Sequence, residues 1–282
     1  MPPVPASPDR VDLLVIGALT IDRLTDGTTA PGGSVLYAAR AAAANGYAVG
    51  VETVAGPEPE AATALRELQR LGTLQVQRED HTLRFGHAEA GERRELTLER
   101  PSPRLAPVSR TRDAAAVLFA PVADEFRAEI AGQPLGGAYR GAILQGWLRS
   151  LAPGHRVEPL PLSALDDALA DVLTGFGVLF ASTEDLRAVA ASPAAQLDAL
   201  RACFGSTPRL AVTGGSTGSW LDDEDGRVRV LPRVKITSHR TVGAGDALAA
   251  LTIAELARGT TLRVAAERAT DAVVDLLEVR ST

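Results

Sequence analysis

The sequence predicts an α/β protein built on a largely parallel sheet between helices, and three observations point there. Short, β-branched apolar runs that do not alternate suit strands buried on both faces. Segments with helix caps and glycine stops separate these runs, as crossover helices separate parallel strands. With 282 residues, 45% of them hydrophobic and 23% charged, the chain can bury one large core or two small ones and lacks the composition of a disordered chain.

Residues 11–17, closing at Gly17, form the first such run. A Thr- and Gly-rich stretch leads to Pro31, and Gly32-Gly33-Ser34 opens an Ala-rich helix that Asn45-Gly46 stops. A strand over 48–55 and a helix over 57–71, ended by Gly72, continue the rhythm. Residues 74–104 break it. Their alternating pieces at 83–87 and 94–98, around Ala90-Gly91, read as an exposed antiparallel hairpin. Strands at 115–120, 141–145, 178–181 and 210–213 then resume the pattern, with helical stretches such as 162–173 between them. The acidic turn from Asp222 to Gly226 precedes a strand pair over 227–236, and from Gly243 the chain reads as helical almost to its end.

Basic residues number 29 against 35 acidic, a net charge of −6, which is the wrong sign for a nonspecific nucleic-acid or anionic-membrane binder. Cys203 is the single cysteine, so there is neither an internal disulfide nor a cysteine-based zinc site, as in a reducing compartment. The Pro-rich first ten residues lack a basic stretch followed by an apolar one, and no run of about 18 apolar residues follows. A cytoplasmic protein is the expectation.

The most informative segment is Thr241-Val242-Gly243-Ala244-Gly245-Asp246, a glycine turn opening onto a strong helix. Such a turn offers unpaired amides and a positive helix end to a phosphate, and it places an ionised Asp246 where it can take a hydroxyl proton. An acidic residue that merely stabilises a helix start would leave the same letters.

With the N-terminal glycine pair, this segment resembles the ribokinase-like (PfkB) carbohydrate kinase family over nearly the whole chain. Thr241 to Asp246 match the last six positions of the family's Asp-Thr-x-Gly-Ala-Gly-Asp signature. The resemblance implies a ribokinase-like three-layer fold, one α/β domain over 1–282, with a small β lid from segments near 19–31 and 74–104. It implies Asp246 as catalytic base, with Gly243, Ala244 and Gly245 forming the anion hole. Leu210 to Gly218 is similar to the family's V-T-x-G-x-x-G strand and loop, which puts Thr213, Gly215 and Gly218, with Thr241, beside the nucleotide. Ser182 and Asp185 stand where the family has Asn-x-x-Glu, Asp185 facing magnesium through water. A serine cap on an acidic first turn explains these two letters equally well. On the acceptor side the resemblance implies Asp22, Gly32, Gly33 and Tyr37, the glycines because backbone lies close to substrate; tight turns explain the pair without a substrate.

The resemblance therefore implies an ATP- and Mg2+-dependent transfer of the γ-phosphoryl group to a hydroxyl of a small sugar, polyol or nucleoside. It also suggests a homodimer through unpaired lid edges. Three departures stand out. Arg240 replaces the signature's leading Asp, which belongs to the cation site of potassium-dependent relatives. Tyr37 replaces an Asn, and Gln145 to Arg149 replaces an Asp-x-Asn-x-Arg segment, with Trp147 inside it. These changes also suit a catalytically weak member acting as a nucleotide or metabolite sensor. The histidines, His81, His87, His155 and His239, show no metal or triad spacing and read as solvated or satisfied. A nicotinamide-dependent dehydrogenase or a P-loop kinase would need glycine motifs that are absent here.

Overall fold

The computed structural model describes residues 10–90, 93–106, 113–133, 135, 137–234 and 241–279. The chain begins with β1 (Val11–Ile16), β2 (Thr20–Arg23), β3 (Thr29–Gly32), α1 (Ser34–Ala44), β4 (Val49–Ala55), α2 (Pro59–Leu71) and β5 (Gly72–Arg78). There follow β6 (Leu83–Ala90), β7 (Arg93–Arg100), β8 (Ala114–Phe119), the single-turn α3 (Ala128–Ala131), β9 (Tyr139–Ile143) and α4 (Asp167–Thr174). The rest is β10 (Val178–Ser182), α5 (Pro193–Phe204), β11 (Arg209–Thr213), β12 (Ser219–Asp223), β13 (Gly226–Val230), α6 (Ala244–Ala257) and α7 (Leu262–Val279).

Nine strands form one sheet in the order β13-β12-β11-β10-β9-β8-β1-β4-β5, parallel from β11 to β5 and antiparallel at β12 and β13. The missing alternation has its reason here: Leu13 and Val15 of β1 point to one core, and Leu14 and Ile16 to the other. Helices α1, α2, α6 and α7 cover the first face and α3, α4 and α5 the second, so both faces must be apolar. This is the three-layer arrangement, with a mostly parallel sheet between helices, that the sequence led us to expect. Helix α6 lies at the centre of its layer, with every residue from Ala247 to Leu256 buried, which explains why it carries no polar stripe.

A second sheet, in the order β3-β2-β6-β7, stands beside the first. It differs from the expectation in two ways. Residues 72–78 are not part of it, because β5 pairs in parallel with β4 along its whole length and forms an edge of the large sheet. The outer edge of β7 is not open either: Leu98 donates to the His155 carbonyl at 3.0 Å, and Gly154 and Val157 donate back to Leu98 and Leu96 at 2.7 Å. That cover removes the β7 edge from the argument for a dimer. A third difference concerns the acidic turn, which joins β12 to β13 rather than preceding a strand pair; of 227–236, residues 235 and 236 lie outside the described set. The stretch 162–173 is a short 3-10 turn (Leu162–Ala164) followed by α4, whose N-cap Asp166 accepts from the Leu169 amide at 2.8 Å. No helix among the described residues is long and apolar enough to cross a membrane.

Candidate active site

The C-terminal ends of β8, β9, β10 and β11, the small sheet and the start of α6 enclose a cleft of about 430 Å3. Open parallel sheets bind ligands at this end, where the loops diverge. Asp246 sits here in the first turn of α6, which the chain enters through Gly243 at φ 79°. A Cβ on Gly243 would overlap the Tyr37 ring. Glycine is thus required twice, by the left-handed backbone and by its neighbour. Tyr37, expected to touch the acceptor, lines the cleft but also backs the glycine turn.

The expected anion hole needs one correction. The Ala244 amide donates to the Thr241 carbonyl at 3.1 Å and is not free for a phosphate. Gly245 and Asp246 remain, in the first helical turn, where amides have no acceptor within the helix.

Burial and the nearby Asp185 charge push the Asp246 carboxyl above the usual carboxylate range, while a hydrogen bond with Ser34 and the charge of Arg149 pull it back. These partners are themselves linked. Gln145 Nε2 donates to Ser34 Oγ at 3.0 Å, and Arg149 Nη2 donates to Gln145 Oε1 at 2.9 Å, with Nη1 on the Val122 carbonyl at 3.1 Å. Asp185 Oδ2 accepts from the Ser182 hydroxyl at 2.6 Å and from its amide at 3.0 Å, and the Asp185 amide donates back to Ser182 Oγ. Both expected residues line the cleft, and Ser182 caps a run of turns over 183–189 rather than the start of a helix.

At the other end of the cleft Asp22 Oδ1 accepts from Thr20 at 3.0 Å. His87 Nε2 lies 3.5 Å from Asp22 Oδ2, buried and without a hydrogen-bond partner among the described residues. His87 Nε2 is therefore neither solvated nor hydrogen-bonded, where the sequence suggested one or the other. The signal was available: alternation along β6 puts His87 on the face of the buried Leu83 and Phe85. His81, by contrast, contacts the Pro101 carbonyl at 3.1 Å, and His239 lies outside the described residues, as does Arg240. The glycine pair is required by the protein itself. A Cβ on Gly32 would overlap Asp22, and one on Gly33, at φ 99°, would lie 2.7 Å from the Ala18 carbonyl.

Thr213 and Gly215 border both this cleft and a second one of about 340 Å3, which Gly218 and Thr241 also line. The walls of the second are apolar, formed by Leu248, Val273 and Val274 with Pro232 and Val234. Gly218, at φ 92°, leaves no room for a Cβ against the Val230 carbonyl, whereas Gly215 faces open space.

Two further residues complete the picture. Trp147 is core, its Nε1 donating to the Phe126 carbonyl at 2.6 Å and its ring meeting Phe126 edge-on. Glu125, which nothing in the sequence marked, is fully buried and accepts from the amides of Ala18 at 2.7 Å, Val122 at 3.0 Å and Ala123 at 2.9 Å. It ties the loop after β1 to the loop after β8.

The model of the pfkB family carbohydrate kinases matches residues 152–273. No curated protein matches the chain. Among solved structures, a pyrophosphate-dependent kinase in the ribokinase family, complexed with a pyrophosphate analog and myo-inositol, superposes with a TM-score of 0.74 at 16% identity, over 93% of each chain. The ribokinase of Arabidopsis thaliana, complexed with ribose and ATP, gives a TM-score of 0.71 at 16% identity over 93% of this chain and 90% of that one. The nucleoside kinase of Methanocaldococcus jannaschii gives 0.66 at 15% identity over 94% and 89%. The ribokinase-like fold is shown by these superpositions, and the resemblance to the PfkB family is upheld by the family match.

Proposed function

We propose that this ribokinase-fold chain, with its pfkB-family segment, is a small-molecule kinase of the carbohydrate type. It moves the γ-phosphoryl group of ATP to a hydroxyl of a sugar, polyol or nucleoside. The observation that carries this reading is the position of Asp246, a desolvated carboxylate in the first turn of α6 that borders the cleft holding Asp22 at its far end. Asp246 takes the acceptor's proton, and the Gly245 and Asp246 amides with the positive end of α6 hold the phosphoryl group in transfer. Such catalysis is positioning plus electrostatics. Asp22 and His87 hold the acceptor's other hydroxyls.

The structural neighbours include a pyrophosphate-dependent kinase and one bound to ATP. A nucleotide donor is favoured by the apolar second cleft, which has the size and walls for a base and adjoins the glycine turn; pyrophosphate has no use for it. No group of three or more His, Cys, Asp or Glu among the described residues could hold a metal ion. Magnesium would enter this site as part of a metal–phosphate complex, which Asp185 and Glu184, both lining the cleft, would help to hold. There it would neutralise phosphate charge.

The test is ADP release with Mg-ATP, and phosphate release with pyrophosphate, across a panel of sugars, cyclitols and nucleosides, beside Asp246→Asn. Acceptor-dependent turnover lost in the variant supports the kinase. ATP binding without turnover on any acceptor supports the sensor reading instead.

A further inference from the structure

Strands β12 and β13 do more than widen the large sheet. Their antiparallel register sets Arg229 directly opposite Trp220, and side chains paired in this way share one face of the sheet. The guanidinium accordingly lies over the indole, 4.7 Å from the ring centroid. From there Arg229 reaches the loop Gly214–Gly218, where its Nε and Nη2 both donate to the Thr217 carbonyl, at 3.1 and 2.6 Å. The indole meets the same loop, since a Cβ on Gly214 would lie 2.6 Å from Trp220 Cζ3. Neither side chain lines either cleft, yet the loop they grip carries Gly215, which borders both.

Much of this loop is bonded to itself. The Gly214 amide donates to the Gly218 carbonyl at 2.8 Å, the Thr217 amide and hydroxyl to the Gly214 carbonyl at 3.1 and 2.7 Å, and the Gly218 amide to the Gly215 carbonyl at 3.0 Å. The Thr217 carbonyl stands outside this set, and among the described residues Arg229 alone holds it. A carbonyl oxygen is negatively polarised, so one free to turn toward a bound phosphate would repel it. A charge-assisted hydrogen bond keeps this one turned to Arg229.

We propose that Arg229, braced on Trp220, is a positioning residue for the phosphoryl donor: by holding the Thr217 carbonyl, it keeps the glycine loop in the shape that receives the donor's phosphates. The clause about the donor rests on the kinase reading; the hold on the loop does not.

The experiment compares the wild type with Arg229→Ala and with Arg229→Lys, which keeps the charge and a donor. Hydrogen exchange of peptides covering residues 214–218, followed by mass spectrometry without ligand, should be about tenfold faster in Arg229→Ala, as the loss of one such hydrogen bond allows, and less so in Arg229→Lys. Calorimetric titration with the magnesium complex of a non-hydrolysable ATP analogue should show Kd raised about tenfold in Arg229→Ala and partly restored in Arg229→Lys. In turnover the rise should fall on the KM for ATP and leave the acceptor KM unchanged. Exchange unaltered in Arg229→Ala overturns the proposal, as does faster exchange with nucleotide affinity intact. A wild type that binds neither the analogue nor pyrophosphate would defeat the donor reading and the donor clause with it, while exchange would still decide the hold on the loop.

Discussion

Two carboxylates in this molecule have opposite fates. Glu125 is sealed from solvent, and three backbone amides fill both of its oxygens. Burial pushes its carboxyl up, and the amides offset part of that. Asp246 is also pushed up by desolvation, but it borders a cleft, and no backbone amide is among the groups that pull it back. A saturated carboxylate has nothing left to offer a ligand and serves to hold two loops. An under-satisfied one retains basicity and a free oxygen, which is what proton transfer needs.

The contrast is broken most sharply by exchanging the charges. Asp246→Asn should lower turnover by roughly 100- to 10,000-fold, read as ADP release, while its thermal midpoint stays level or rises. The sign follows from linkage. A carboxyl raised on folding stabilises the fold below its unfolded pKa, about 3.9, and loses that contribution as pH rises through the raised value, so at pH 7 the charge is a cost. Near-normal turnover would remove Asp246 from the chemistry. Glu125→Leu should do the reverse. It strands three buried amides at about 1–3 kcal/mol each, so urea unfolding should show a loss of roughly 3 kcal/mol or more, with the folded fraction still active. Unchanged stability would sink the staple reading.

Smaller effects sharpen the picture of the turn. Gly243→Ala forces a positive φ on alanine against the Tyr37 ring and should cost about 1–3 kcal/mol; Gly215→Ala, at φ 57° with open space around its Cβ, should cost about 1 kcal/mol. Equal losses in chemical denaturation would show that Tyr37 does not constrain the turn. In pH profiles, the acid limb of kcat/KM should fall above the ordinary carboxylate range, because Asp246 must be ionised to act. A limb at the ordinary value would place the base elsewhere. Least of all, Val234→Asp, at an exposed rim of the apolar cleft, should raise the KM for ATP a few-fold, roughly 1 kcal/mol of lost contact, and leave any pyrophosphate-driven rate alone.

How much of this was legible varies with the kind of signal. The parallel strands and their order of appearance were, because a strand buried on both faces must be apolar throughout. The glycine turn before α6 was, because only glycine tolerates its backbone. Strand β5 was misread: its edge position leaves half of its side chains exposed, so it alternates as a lid strand would. His87 was discounted although its period-2 position pointed inward, since no local spacing links it to Asp22, 65 positions earlier. Glu125 left no trace at all; its partners are backbone amides, which any sequence supplies.

The sequence by itself therefore determined the layers, the glycine-dependent turns and the acid at the head of α6, all of them local or periodic properties that burial and backbone sterics impose residue by residue. Only the tertiary structure decided which side chains meet. It set Gln145, held by Arg149, on Ser34 beside the cleft that Asp246 borders, packed Tyr37 against Gly243, and covered the β7 edge with residues 154–157. Apart from Arg149 with Gln145, those contacts join segments more than 50 positions apart in the chain, and their geometry follows from how the helices and the two sheets pack rather than from any pattern within a segment.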